Sequence, residues 1–208
     1  MMQLRGARVI IRPWQRSDDE LANEWPPYND PLDPLWNLPR QTSIGATWSS
    51  FFDVDGQRRS WAVEDYQGHL MGRISLRDID AHKRQARLGI TFGAPYVGQG
   101  FGTEALALFL DAYFTELGFD EMVLDVAAPN VRAVRSYQRL GFHYVESDWR
   151  EAGYSFDRRV LDMPRYQHLL RYFRRTPRGV AVEFYEMRLT REEWFQHRRT
   201  LAQRTASR

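Results

Sequence analysis

The chain contains no cysteine and only one lysine, Lys83, among its 29 basic residues. Without cysteine there is no disulfide, no thiolate metal site and no cysteine nucleophile, and we expect a cytoplasmic protein. Long apolar runs are also missing, since one of the longest covers residues 105–110 whereas a membrane helix needs about 20. The amino terminus has no hydrophobic signal region, so we expect neither secretion by that route nor a membrane partner.

Neither sign of charge dominates, because 29 basic and 27 acidic residues leave a net charge of +2. The length of 208 residues and the hydrophobic content of 43% fit one folded domain. Residues 150–208 are locally basic, with 14 basic and 7 acidic residues. This segment is either a solvated helical surface or a binding patch. A nucleic-acid partner ranks last because the segment has no recognisable reading motif.

The order of the predicted elements indicates an α/β (α+β) protein whose front half is antiparallel. Seven segments have the composition of strands: 6–14, 60–64, 70–79, 86–92, 121–127, 142–146 and 180–189. Five segments have helical spacing: 17–25, 103–117, 130–140, 164–175 and 190–203. Ser17 and Glu20 match a capping box for the first helix. Residues 26–39 hold five of the ten prolines, which predicts an irregular and functional connection.

A glycine-rich turn, Tyr96-Val-Gly-Gln-Gly-Phe-Gly-Thr103, lies between a predicted strand and a predicted helix. Gly98, Gly100 and Gly102 allow the backbone to approach a ligand, and the following helix adds free amides and a positive dipole end. These features predict an anion site that suits a diphosphate. The P-loop and dinucleotide-binding patterns are absent. A tight strand-to-helix connection without a ligand is the other interpretation.

A second motif follows about 30 residues later: Asn130-Val-Arg-Ala-Val-Arg-Ser-Tyr137, and then Gly141-Phe142. The two segments and their separation resemble motifs A and B of the GNAT acetyltransferase superfamily, and most of all its ribosomal-protein and polyamine acetyltransferases. The resemblance implies a mixed, mostly antiparallel twisted sheet flanked by helices, here with a C-terminal helix-strand-helix extension. It also implies one domain over 1–208, divided into an acceptor-side segment (1–40), an acetyl-CoA-binding core (86–142) and a basic C-terminal segment (150–208).

The resemblance implies acetyl-CoA as the co-substrate and assigns eleven residues to its binding: Ile90, Thr91, Phe92, Val97, Gly98, Gln99, Gly100, Phe101, Gly102, Thr103 and Asn130. Val97 departs from the family pattern, which has arginine or glutamine at that place. We expect backbone amides between 98 and 103 to hold the diphosphate all the same, because that contact needs no side chain. The strand 90–92 matches the edge that pairs with the pantetheine arm.

Two residues are implied as catalytic. Tyr137 matches the tyrosine near the thioester sulfur, and the alternative for it is a core tyrosine on an amphipathic helix. Asp125 lies five residues before Asn130, where the ribosomal-protein branch has a glutamate base; the alternative is a solvated strand acid. Other acids are weaker candidates for the base: Glu64, Asp78 and Asp148. Arg87 stands near the place of another common family acid, which argues against an alternative base there.

Residues 17–39 contain six acids and no basic residue. Four residues of this region are candidates for binding the acceptor: Glu24, Trp25, Tyr28 and Trp36. Acids and aromatic faces suit a cationic amine through Coulomb attraction and cation–π contact, so we expect a small-molecule amine or a protein N-terminus as acceptor. An acidic, solvated helix start is the other interpretation.

The five histidines show no ligand spacing, so we predict no metal. The apolar stripe between 166 and 173 should pack on the core or on a partner subunit, and an exposed part of it would favour a homodimer. The sequence as a whole favours an acetyl-CoA-dependent N-acetyltransferase that works by direct attack of the amine. A non-catalytic acyl-CoA-binding or regulatory protein on the same fold is the alternative.

Overall fold

The computed structural model describes residues 2–40, 58–153 and 156–206. Within them, nine strands form one sheet: β1 Leu4–Arg5, β2 Ile10–Pro13, β3 Arg59–Glu64, β4 Leu70–Asp80, β5 Gln85–Phe92, β6 Glu121–Ala127, β7 His143–Glu151, β8 Phe173–Thr176 and β9 Gly179–Thr190. The described α-helices are α1 Arg16–Asn23, α2 Phe101–Thr115, α3 Val131–Arg139 and α4 Arg191–Ala206. None of the helices in these ranges is long and apolar enough to cross a membrane.

The sheet is mixed and mostly antiparallel, as expected. Its order is β1-β2-β3-β4-β5-β6-β9-β7, and β8 pairs with β9. Strands β1 to β5 form an antiparallel meander, and β5 then pairs with β6 in parallel. The expectation of a C-terminal extension is wrong for β9, because this strand lies inside the sheet between β6 and β7.

The helix predicted over 164–175 is also wrong. Residues Pro164–Tyr172 form 3-10 turns, and Phe173–Thr176 is a strand. Tyr166 and Leu169 are buried and Tyr172 packs beside them. A spacing of three residues places side chains directly above one another in a 3-10 helix, so this pattern fits 3-10 turns as well as an α-helix.

The main apolar core lies between the sheet and helices α2, α3 and α4. Its residues come from most of the chain: the first is Val9, just before β2, and the last is Trp194 in α4. The Trp61 ring meets Phe109 of α2 edge-on at 4.8 Å between centroids. Trp194 is 1% exposed and donates its indole N–H to Asp111 of α2 at 2.9 Å. The basic C-terminal segment therefore contributes directly to the core that packs α2.

A second apolar cluster joins the acceptor-side segment to the C-terminal segment. Leu32 and Leu35 are buried against residues of the 3-10 turns and of β9: Leu161, Tyr166, Leu169, Val180, Val182 and Phe184. The Tyr166 hydroxyl also donates to Asp30 Oδ1 at 3.0 Å. Residues 30–38 are thus held by a part of the chain that lies more than a hundred residues later.

Helix α1 begins with a different cap from the one predicted. Gln15 is the N-cap and Asp18 is the third helical residue of the capping box, so the pairing of Ser17 with Glu20 is wrong. The Asp18 carboxylate accepts the Gln15 amide at 2.7 Å and both terminal nitrogens of Arg12 at 2.8 Å. Asp18 is 1% exposed, so a buried ion pair fixes the start of α1 to β2.

Asp18→Asn should lower the free energy of unfolding at pH 7 by about 2 kcal/mol, less than for a fully buried pair because the Arg12 side chain is 20% exposed. Burial raises the pKa of Asp18, but the bonds from Arg12 and the Gln15 amide outweigh it and hold the pKa below 3.8. The stabilisation is therefore present above that pH and lost as the pH falls further. Urea unfolding of wild type and Asp18→Asn at pH 7 and pH 3 measures this stabilisation. Glu20→Gln is the control and should change little; equal stability of Asp18→Asn and wild type at pH 7 would contradict the prediction.

Candidate active site

Strands β5 and β6 pair only over their first halves. The parallel register runs from Gln85 opposite Glu121 to Leu88 opposite Leu124 and ends there. Beyond that point, residues 89–92 pair only with β4, and residues 125–127 pair only with β9. The two strands therefore diverge and leave a gap in the middle of the sheet.

The open edge of β5 presents backbone polar groups to this gap. The Gly93 amide donates to the Met71 carbonyl at 2.9 Å, on the β4 side. Because successive residues of a strand direct their backbone groups to opposite sides, those of Phe92 and Ile90 point toward the gap. The Tyr28 hydroxyl already donates to the Phe92 carbonyl. Ile90 is partly buried, Thr91 is exposed and Phe92 is buried.

The glycine-rich turn lies immediately beyond β5 and leads into α2. Gly98 and Gly100 have φ values of +84° and +85°, which a residue with a side chain adopts only with strain. Gly100 is the N-cap of the 15-residue helix α2, so the first free amides of the helix begin there. Gly98, Gln99 and Gly100 are exposed, while Val97 and Phe101 pack partly against the core. The turn can therefore present amides to an anion in solvent.

Asn130 and Tyr137 lie at the start and end of α3. Asn130 is the N-cap, and its Oδ1 accepts the Ala133 amide at 3.2 Å. The Tyr137 ring meets Phe142 edge-on at 5.9 Å between centroids. Burial raises the pKa of Tyr137 to about 12, against the opposing charge of Arg132. The hydroxyl is therefore a hydrogen-bond donor throughout the neutral range.

Asp125 lies in a network of ion pairs on the sheet face opposite α2. Its carboxylate has four arginines within 3.5 Å: Arg87 at 2.7 Å, Arg40 and Arg150 at 3.4 Å, and Arg77 at 3.5 Å. The side chain is 3% exposed, so the interpretation as a solvated acid is wrong. Within the described residues its Oδ2 has no hydrogen-bond partner. Glu186 of β9 shares Arg87 and Arg40, at 3.1 and 2.8 Å.

Trp25 and Tyr28 lie at the end of β5. Gly93 packs directly under the Trp25 indole, since a β-carbon on this glycine would lie 2.9 Å from the ring. The indole N–H donates to the Leu70 carbonyl at 3.0 Å. Burial raises the pKa of Tyr28, with a smaller contribution from Asp33 and an opposing one from Arg132. The charge of Arg132 opposes the rise in pKa at both Tyr28 and Tyr137.

Glu24 and Trp36 are the other two candidates for binding the acceptor. Glu24 is exposed at the end of α1, and Trp36 packs against the second apolar cluster. Asp33 is partly buried, and burial together with the charge of Asp30 raises its pKa. Among the described residues, no three histidine, aspartate or glutamate side chains are grouped to hold a metal ion.

Some residues of this region were not among the sequence candidates. Arg40, Arg77, Arg150 and Glu186 surround Asp125, and Arg8 lies beside the glycine turn. These contacts join positions far apart in the chain, and only the register of the sheet brings them together. Alternation offered one signal, because the charged residues Asp125 and Glu186 each lie between apolar or aromatic neighbours in β6 and β9.

An open strand edge beside a glycine turn at a helix N-terminus defines a protein that can bind an extended ligand bearing phosphate groups. The acetyltransferase (GNAT) domain family matches residues 8–143, and the chain belongs to this family. The resemblance drawn from the two motifs is thereby confirmed.

Three comparisons show what the chain is similar to. It is 34% identical to spermidine N(1)-acetyltransferase of Vibrio cholerae over 96 residues, which cover 44% of this chain and 56% of that enzyme. It is 33% identical to the Escherichia coli enzyme of the same name over 88 residues, which cover 42% and 47%. The chain thus matches about half the length of these relatives. A crystal structure of the Vibrio cholerae enzyme with CoA and spermine has a TM-score of 0.64 and 19% identity, covering 90% of this chain and 98% of that one.

Replacing one partner of the buried pair, by Arg87→Gln or Asp125→Asn, should lower the free energy of unfolding by about 2–3 kcal/mol, because each leaves a buried charge without its main partner. The double variant should lose less than the sum of the two. Asp78→Asn is the matched control, since Asp78 also pairs with Arg87, at 3.4 Å, but is 71% exposed. Urea unfolding of all four variants gives the coupling energy, and strict additivity would show that the pair does not act as a unit.

Proposed function

We propose that this protein is an acetyl-CoA-dependent N-acetyltransferase that transfers an acetyl group to a primary amine by direct attack in a ternary complex. The observation that carries the proposal is the divergence of β5 and β6 beside the glycine turn. Amides between Gly98 and Thr103 would hold the diphosphate, and the edge at Ile90–Phe92 would pair with the amide-bearing pantetheine arm. Membership of the GNAT family supports both assignments.

Groups at the end of β5 would stabilise the reacting carbonyl. A backbone amide near Phe92 points into the gap and is the donor we assign to the oxyanion. Tyr28 fixes this end of the strand through the Phe92 carbonyl, and Trp25 packs over Gly93. Asn130 uses its carbonyl oxygen for the helix cap, which leaves its amide N–H groups as donors toward the ligand.

Tyr137 is the hydrogen-bond donor that we assign to the departing thiolate. With a pKa of about 12 the hydroxyl stays protonated at neutral pH. A free thiol has a pKa of about 8.5, so complete transfer from tyrosine to thiolate is uphill and a hydrogen bond to sulfur is the expected contribution. The attacking amine must lose a proton, and Asp125 Oδ2 could accept it through a bridging water.

The acceptor would be a cationic amine. Asp30 and Asp33 lie near Tyr28 in the chain, and burial together with the charge of Asp30 raises the pKa of Asp33. An ammonium group would compensate the negative charge of these carboxylates, with Trp25 and Tyr28 offering aromatic faces. Two relatives are spermidine acetyltransferases by name, so a polyamine is the first acceptor to test.

Release of CoA should be fastest with spermidine, slower with a basic peptide and slowest with an acidic peptide of equal length. The acidic segment favours cations, so the expected difference in kcat/KM between the extremes is at least about tenfold. Because the chain has no cysteine, a thiol-reactive dye reports released CoA without background from the protein. Binding of CoA without release for any amine would favour the non-catalytic alternative.

Activity assays of the Asp33→Asn variant with the same acceptors distinguish recognition of the acceptor's positive charge from general damage to the enzyme. The variant should lose activity with spermidine and keep it with the acidic peptide. Equal losses with both acceptors would show that Asp33 does not contribute to selection of the cation.

Tyr137→Phe should lower kcat on the order of 100-fold and leave the affinity for CoA unchanged, because it removes only a hydroxyl that acts in the transition state. The wild-type rate should show no loss attributable to this hydroxyl below about pH 11, given the pKa of about 12. Steady-state rates and CoA titration check both statements. Tyr144→Phe, at a tyrosine that is 53% exposed, is the control. Unchanged kcat in Tyr137→Phe would assign the tyrosine to the core alone.

A further inference from the structure

Arg8 reaches the glycine turn from the amino-terminal hairpin, 91 positions before Gln99. It lies in the tight turn between β1 and β2, where the Gly6 amide donates to the Val9 carbonyl at 2.8 Å. Its guanidinium donates from Nη1 to the Gln99 carbonyl at 3.2 Å and stacks 4.6 Å from the centre of the Phe101 ring. The side chain is half exposed, so it borders both the turn and solvent.

Glu104 in the first turn of α2 fixes the position of Arg8. The Arg8 amide donates to Oε1 at 2.6 Å, and Nε donates to Oε2 at 2.8 Å. One carboxylate therefore holds both the backbone and the side chain of Arg8. Together with the Gln99 carbonyl and the Phe101 ring, it fixes the plane of the guanidinium beside the turn.

The remaining donors of this guanidinium face the backbone of the turn. Within the described residues, Nη2 makes no hydrogen bond, and it lies 3.4 Å from the point where Gly100 would carry a β-carbon. At position 97, where the family pattern has arginine or glutamine, this chain has valine, which packs partly against the core. A cation is thus present at the turn although the expected position lacks a polar side chain.

We propose that Arg8 binds the diphosphate of the CoA thioester and supplies the polar side chain that Val97 does not. The inference rests on the proposed function, because it concerns the same turn. The two free N–H groups of Nη2 match phosphate oxygens, and a fixed side chain loses little conformational freedom when the ligand binds.

Arg8 has a second effect that the experiment must separate from a direct contact. Glu104 places a negative charge in the first turn of α2, where it would repel an anion, and Arg8 neutralises that charge. Removing Arg8 alone therefore exposes Glu104 to the ligand. In the double variant Arg8→Gln/Glu104→Gln, both the contact and the repulsion are absent.

The test is a calorimetric titration of CoA into wild type, Arg8→Gln, Glu104→Gln and the double variant at fixed salt. Arg8→Gln should weaken binding at least about tenfold, the range of a hydrogen bond to a charged group. The double variant should bind CoA about tenfold more weakly than Glu104→Gln does, because it also lacks the Arg8 contact. If the double variant binds as well as Glu104→Gln, Arg8 acts only by neutralising Glu104, and the proposal is overturned. Arg5→Gln, on the same hairpin and exposed, is the matched control and should bind CoA like wild type.

Titrations with two further ligands show which phosphate group of CoA Arg8 contacts. Dephospho-CoA retains the diphosphate but lacks the ribose 3′-phosphate, so Arg8→Gln should weaken its binding by the same factor; loss of the effect would place Arg8 on the 3′-phosphate and overturn the assignment. Pantetheine lacks the diphosphate, and Arg8→Gln should not change its binding; a loss there would indicate general damage to the site. Failure of wild type to bind CoA at all would instead remove the proposed function. Melting curves of each variant show whether it is folded.

Discussion

The divergence of two parallel strands is the constraint on which the rest of the molecule depends. Beyond Leu88 and Leu124, each strand keeps its outer neighbour and loses its inner one. An unpaired strand edge in the middle of a sheet leaves donors and acceptors without partners, which is costly unless another chain or ligand satisfies them. The gap therefore has to be held open by the surrounding structure, and in this protein it is held from both sides.

On one side, Arg87 of β5 forms ion pairs with Asp125 of β6 and Glu186 of β9. These charged groups join the three strands next to the point where β5 and β6 separate. On the other side, Trp25 and Tyr28 close the end of β5 through Gly93 and the Phe92 carbonyl. The acceptor-side segment is in turn fixed by the second apolar cluster and by Tyr166. The C-terminal segment thus supports residues 30–38, and its Trp194 supports the helix that follows the glycine turn.

Local patterns in the sequence predicted many of the strands and helices that form this arrangement. The alternation in strands β3 to β6, the positions of α2 and α3, and the glycine turn follow from short-range rules of polarity and backbone conformation. The predicted helix at 164–175 failed because a spacing of three residues fits two kinds of helix, and the cap of α1 failed because Gln15 competes with Ser17 for the same role. The place of β9 in the sheet depends on pairing between distant strands, which no local pattern encodes.

The same distinction explains which parts of the site were accessible to sequence reasoning. Positions with a special backbone conformation, such as Gly98 and Gly100, can be recognised by residue type, because few other residues adopt φ near +85°. Contacts between distant side chains cannot be recognised in this way: Arg8 and Glu104 are 96 positions apart. Under the proposed function, backbone amides hold the diphosphate, and that contact tolerates change in the side chains around it. A cation that Arg8 brings to the turn from another part of the fold would then compensate for the valine at position 97. The proposed acceptor side would rely on side chains instead, on the charges of Asp30 and Asp33 and the rings of Trp25 and Tyr28. The second apolar cluster holds the neighbouring residues Leu32 and Leu35 in place.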